Sequence, residues 1–230
     1  MGVPVGVRQR GAIAQGERTT MALSARTLTS IGLAALSCAV LVSLSIAFVD
    51  RPLATYSHDV LGYPEWSKIV TGLAGARNVL VLSILALLIV AGLFWRRGRL
   101  TYRQRTTLIA VAATVLATAL AIALKIAFGR LWPETWTLNN PSWIRNHQYG
   151  FLPFHGGAGY ESFPSGHTAR ITAPCAVLWR RVPRLRALWA IPPLIMVAGL
   201  IFADFHFMGD CIGGIYVGVA GAAIALAVIR

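Results

Sequence analysis

Apolar residues fall into six long runs separated by short polar, basic segments. The runs cover about residues 28–49, 76–95, 107–128, 168–182, 187–203 and 210–229. Runs of roughly 17–25 apolar residues are long enough to cross a bilayer as helices, and these are too long for strands. The fourth run is the shortest. Pro174 interrupts it, and it reaches full width only if Arg180 and Arg181 extend their stems along it. Pro192-Pro193 is expected to bend the fifth run, and Gly214, Gly218 and Ala222 give the sixth a small-residue face for close helix contact. Residues 50–71 mix Pro52, Pro64, Trp66 and Lys68 with apolar positions and read as an interfacial segment. Residues 1–26 lack periodicity and read as a disordered basic cytoplasmic tail, with Met21 a second possible start. The first apolar run resembles a signal peptide, but no clear small-residue cleavage site follows, so a retained helix is expected. The pattern predicts an all-α polytopic membrane protein, with a six-transmembrane-helix bundle over residues 27–230.

Composition agrees. The chain is 56% hydrophobic and 13% charged over 230 residues, with a mean hydropathy of +0.64. Soluble domains carry about 25% charged residues. A net charge of +13 would suit nucleic acid, but the basic residues cluster between the apolar runs, as cytoplasmic loops do, and this argues against a nucleic-acid partner. Arg8, Arg10, Arg18 and Arg26 lie in the tail, five arginines at 96–105 follow the second run, and Arg180, Arg181, Arg184 and Arg186 follow the fourth. Six spans with this bias place both termini in the cytoplasm and the long segment 129–166 outside. Cys38, Cys175 and Cys211 have no metal-type spacing and read as small core residues.

That topology brings ionisable residues to one depth on the outer face. Lys125 lies one turn from the end of the third run and Arg130 just beyond it. His167 begins the fourth run with Arg170 one turn deeper, and His206 and Asp210 flank the junction of the fifth and sixth. Charged groups within a span cost about 2.5–3.5 kcal/mol on insertion scales, which makes them functional candidates. Snorkelling anchors account for single cations. They do not account for cations, two histidines and a carboxylate on one side. Such a set serves phosphoryl transfer: cations and N–H groups meet the phosphate oxygens, one histidine attacks phosphorus, and the other protonates the leaving oxygen. A metal held by His167, His206 and Asp210 is the competing use of these residues.

The motifs resemble the type 2 phosphatidic acid phosphatase superfamily, whose catalytic core is shared with vanadium haloperoxidases. Its second signature is intact as Pro164-Ser165-Gly166-His167, and the His-x3-Asp of its third as His206 to Asp210. The first reads Lys125 to Pro133, with Trp132 where the family has arginine. The third has Gly199-Leu200 in place of Ser-Arg. The resemblance implies an extracytoplasmic phosphatase site in which His206 is the nucleophile, Asp210 orients it and His167 is the general acid. Lys125 and the Ser165 and Gly166 backbone would bind phosphate, with no cofactor or metal. Two guanidinium forks are missing, and hydrophobes do not replace bidentate phosphate contacts. Arg130 and Arg170 are the candidate substitutes, Arg145 a more distant one; a salt bridge from Arg170 to Glu161 or Asp204 is the structural alternative. The implied activity is metal-independent hydrolysis of a lipid-linked phosphate or diphosphate. Phosphotransfer at the same site, and a non-catalytic lipid-phosphate binder or transporter, are the alternatives.

The outer segment is rich in aromatics, among them Trp132, Trp136, Trp143, Tyr149, Phe151 and Phe163, with Gly156-Gly157 and Gly159 as hinge candidates. An aromatic belt at headgroup level explains this composition, and so does a wall holding a lipid headgroup. The bilayer and a lipid-linked phosphate are the expected partners. His147 and His155 belong to no motif and read as surface residues.

Overall fold

The computed structural model describes residues 25–62, 64–73, 76–136 and 139–229. The tail at 1–24 lies outside them, and Ala25 and Arg26 already belong to a helix. Nine α-helices are described: α1 (Ala25–Leu44), α2 (Asp50–Tyr56), α3 (Glu65–Leu73), α4 (Ala76–Arg97), α5 (Tyr102–Phe128), α6 (Trp143–Asn146), α7 (Gly166–Arg181), α8 (Arg186–Phe202) and α9 (Met208–Val228). Among the described residues there is no strand, only isolated bridges that tie Arg130 to Phe151 and Glu161, and Trp132 to Ser142. The division between two compact units falls after Ser37, and the site described below lies within Cys38–Arg230.

Among the described residues, four helical stretches are long and apolar enough to cross a membrane: Thr29–Leu61, Tyr102–Phe128, Pro183–Phe202 and Met208–Val228. The first carries the helix of the first run on through Asp50–Leu61, the start of the segment expected at the interface. The helix continues through Asp50–Tyr56, joined by wide turns at Ser45–Val49 and Ser57–Leu61, and stops at Gly62 in left-handed conformation. α3 then follows as a separate short helix. α7 has 16 residues with Pro174 inside it, a rise of about 24 Å, so its shortness is as expected. Proline is tolerated there because it removes one ladder bond within a well-packed helix.

α5, α7 and α9 pack through small residues. Ala113, Ala117 and Ala121 of α5 meet Ala169 and Ala173 of α7 and Val217, Ala222 and Ala225 of α9, all buried. A Cβ at Gly214 would lie 2.6 Å from the Ser165 carbonyl oxygen, and one at Gly218 would lie 2.6 Å from Thr172 Cβ. The glycine face of α9 therefore sets how closely α7 approaches. On the other side, Met196 and Leu200 of α8 pack on Cys211. Cys175 and Cys211 are buried, and all three cysteines are free thiols.

Candidate active site

His206 lies in the tight connection between α8 and α9, and its backbone N–H donates to the Leu200 carbonyl. The ring is buried. Its Nδ1 faces Asp210 Oδ2 at 3.4 Å and Ser162 Oγ at 3.5 Å. Asp210 is one turn along, at the start of α9, where its carboxylate also accepts the Phe207 N–H at 2.9 Å and the Ser162 hydroxyl at 2.6 Å. A carboxylate facing Nδ1 favours the tautomer with the proton there and the lone pair on Nε2. Burial holds His206 down at about 4, against the opposing pull of Asp210, so the ring is neutral near pH 7. The His167 ring faces His206 with centroids 6.0 Å apart.

The Pro-Ser-Gly-His turn forms the start of α7. Ser165 is its N-cap: the hydroxyl accepts from the Thr168 N–H at 3.3 Å, while the Ser165 N–H donates to the Asp210 carbonyl at 2.9 Å. The Ser165 N–H is thus committed to the protein, which corrects its expected role as a phosphate donor. The first helical N–H groups, those of Gly166 and His167, precede any intrahelical acceptor. Gly166 brings two cations to this corner. A Cβ there would lie 3.0 Å from Arg170 Nη1 and 3.7 Å from Lys125 Cε. Lys125 Nζ donates to the Glu161 carbonyl and stands 5.4 Å from the Trp132 ring. Asp204, one alternative partner considered for Arg170, bonds His58 Nδ1 at 2.9 Å.

Arg130 is fully buried and is held differently from the phosphate contact expected of it. Its Nη1 donates to Asp210 Oδ1, and its Nη2 donates to Asp50 Oδ2 and to the Tyr149 hydroxyl. The rings of Phe151 and Phe207 lie 4.8 and 4.6 Å from its guanidinium carbon. Burial opposes the Arg130 charge, but the Asp210 and Asp50 carboxylates outweigh that and hold the group above its ordinary range. Asp50 also accepts from Ser45 Oγ at 2.7 Å and from the Gly209 N–H at 2.8 Å. Arg130 therefore braces the side of Asp210 that faces away from His206. Sequence reasoning missed Asp50, Ser162 and Tyr149. A carboxylate at the end of an apolar run was the available signal for Asp50, but an interfacial reading absorbed it.

The departures from the family motifs acquire positions. Trp132 stacks at a tilt on His206, centroids 5.0 Å apart, and bonds the Ala158 carbonyl at 2.8 Å. Leu200 is fully buried, and Gly199 abuts Val70 of α3, where a Cβ would lie 3.1 Å from Val70 Cγ1. An arginine at 200 would point into apolar packing. His147 and His155 are exposed, and so is Arg145. Among the described residues, no three His, Cys, Asp or Glu side chains converge as a metal-holding group.

A lipid A 1-phosphatase of Rhizobium etli is 27% identical over 188 residues, 77% of this chain and 75% of that protein. A lipid A 1-phosphatase of Rhizobium johnstonii is 32% identical over 75 residues, 31% of each chain. A transmembrane PAP2-type phosphatidylglycerolphosphate phosphatase from Bacillus subtilis superposes with a TM-score of 0.48 at 16% identity, over 84% of this chain and 94% of that one. The family model for the PAP2 superfamily matches residues 106–230, more than half of the chain and all of the residues from Lys125 to Asp210. The chain is a multi-pass membrane protein that belongs to the PAP2 superfamily.

Proposed function

We propose that this protein is an integral-membrane phosphatase that hydrolyses a lipid-linked phosphate through a phosphohistidine. The arrangement of Asp210, His206 and His167 carries the reading, because it presents Nε2 of a neutral, oriented imidazole beside a second histidine. His206 Nε2 forms a bond to phosphorus while the bond to the leaving oxygen breaks. His167, which takes up a proton from the phosphate monoanion as it binds, gives that proton to the leaving oxygen. Asp210 stabilises the cationic phosphohistidine ring. His167, now neutral, takes a proton from water as the water oxygen attacks phosphorus and the N–P bond breaks.

Lys125, Arg170 and the Gly166 and His167 N–H groups would meet the phosphate oxygens, so this reading needs no metal. Arg170 takes over part of the clamp that the family forms with the two missing arginines, and Arg130 acts through Asp210 as a positioning residue. α4 and α7 join the four apolar stretches as the remaining spans of a six-helix bundle, with cytoplasmic termini and an extracytoplasmic site. Phosphate release by detergent-purified protein tests the activity over phosphatidic acid, a polyprenyl diphosphate and lipid A, the last because two relatives are lipid A 1-phosphatases. Wild type should release phosphate from at least one and His206→Ala from none. Release that survives in the mutant overturns the nucleophile assignment.

A further inference from the structure

In-line displacement puts the leaving oxygen opposite the attacking nitrogen, so the leaving alcohol must extend past His167, away from His206. A cavity of about 300 Å³ is lined by His167, the one member of the proposed catalytic set in its wall, and His206 is not among its lining residues. The gap that His206 does line, with Asp50, Ile201 and Asp204, has no room for a water molecule. Phe205 and Trp136 form an aromatic floor beside His167: Phe205 meets His167 edge-on at 5.3 Å and Trp136 at a tilt at 5.6 Å. α3 supplies another part of the wall. Trp66 packs edge-on against Phe202 at 5.3 Å and Val70 abuts Gly199, so α3 is anchored on α8 by one face. Lys68 and Thr71, three residues apart, share the other face and line the cavity. Lys68 Nζ donates to Glu65 Oε1 at 2.7 Å, and an ammonium has three donors. Among the described lining residues Lys68 is a full cation and none is a carboxylate.

We infer that this cavity is the leaving-group subsite, and that Lys68 selects substrates whose leaving alcohol carries a second anionic group, such as a further phosphate ester. The inference rests on the in-line reading proposed above for His206 and His167. A volume of about 300 Å³ is at the small end for ligand sites. It takes a phosphoglycerol or one sugar ring and leaves the acyl chains to the bilayer. The aromatic floor accepts the apolar face of such a headgroup, and Lys68 meets its charge at the rim.

Two short-chain lipids test this directly. Dioctanoyl phosphatidic acid leaves a neutral diacylglycerol, whereas dioctanoyl phosphatidylglycerol phosphate leaves an alcohol that keeps a phosphodiester anion. Lys68→Gln should lower the ratio of kcat/KM for the second over the first about tenfold, the loss of one charge-assisted contact. Lys68→Arg should keep the ratio. A merely structural role would lower both rates together and leave the ratio at its wild-type value, which overturns the inference. Calorimetric titration of His206→Ala protein with the same two lipids makes the result independent of turnover. Discrimination that Lys68→Gln abolishes supports the subsite even if wild type releases no phosphate, in which case the phosphatase reading alone falls. Equal affinity for both lipids with and without Lys68 overturns the subsite and leaves the phosphatase reading standing.

Discussion

Three arginine positions show how charge is divided at the scale of single residues. Arg130 is buried between Asp50 and Asp210, whereas Arg170 adjoins Gly166 and Lys125 where phosphate is proposed to bind; position 200, where the family motif has arginine, holds a leucine buried in core packing. The two remaining arginines should therefore fail in different ways. Arg170→Gln should raise KM for a lipid phosphate about tenfold, the effect of one lost charge-assisted contact. Arg130→Met should lower kcat with little change in KM, and should also lower Tm, because removing one member of a buried ion pair costs about 3–5 kcal/mol. Steady-state kinetics on both variants decides it; the opposite split would exchange their roles. His206 makes a second prediction. The unfolded ring takes a proton near its ordinary 6.5, while the native ring resists until about 4. Between those values the unfolded chain binds more protons, so stability is full above pH 6.5 and falls as pH drops toward 4, by up to roughly 3 kcal/mol. Tm in detergent should slope accordingly, and His206→Gln should flatten the slope; an unchanged slope refutes the assignment. His206, Asp210 and His167 were legible because four-residue spacing and one turn motif carry them. Asp50 was not, since 80 residues separate it from Arg130 and no local pattern encodes a pair made across the bundle.

Between helices, the site depends on how closely α9 lies against α7. Asp210 at the start of α9 receives the Ser165 N–H from the start of α7, so any separation of the two helices moves His206 away from His167. Gly218 is where this can be tested. A Cβ there would meet Thr172 Cβ at 2.6 Å and the Ala169 carbonyl oxygen at 2.8 Å, and the carbonyl is backbone that cannot rotate aside. Gly218→Ala should cost about 1–3 kcal/mol by overpacking and lower kcat well beyond what its distance from the chemistry suggests. Gly156→Ala, with nothing within 4 Å of the added carbon, should leave Tm unchanged. Equal Tm values for the two variants would show that the close contact is not a constraint. The small-residue spacing in the last run announced this face, and Pro174 with Arg180-Arg181 announced the short α7. The extension of the first helix through Asp50 to Leu61 was hidden, because Pro52, at the third position of α2, reads in sequence as an interruption. Inside that continuous helix the wide turn at Ser45–Val49 directly precedes Pro52, and such a local widening of the ladder accommodates a proline.

At the scale of the whole chain, charge asymmetry and site placement make one prediction together. The arginines at 96–105 surround the connection between α4 and α5, and such clusters stay on the cytoplasmic side. The segment from Gly129 to Ser165 sits at the other end of α5 and carries the walls of the site, including Trp132 beside His206 and Ser162 beside Asp210. A helix of 27 residues spans about 40 Å, more than the roughly 30 Å hydrocarbon core, so the two ends of α5 must face opposite compartments if it crosses the membrane. Arg99 and His147 are exposed positions at these two ends. In a Cys38→Ser background, with Cys175 and Cys211 buried, His147→Cys should react with a membrane-impermeant thiol reagent added to intact spheroplasts. Arg99→Cys should react only after lysis. Labelling of position 99 but not 147 from outside would invert the protein and place the phosphatase chemistry on the cytoplasmic leaflet. Labelling of both from outside would deny that α5 crosses at all. The expected pattern fixes which leaflet supplies the substrate, because a site at the depth of His167 and His206 reaches only the headgroups on its own side.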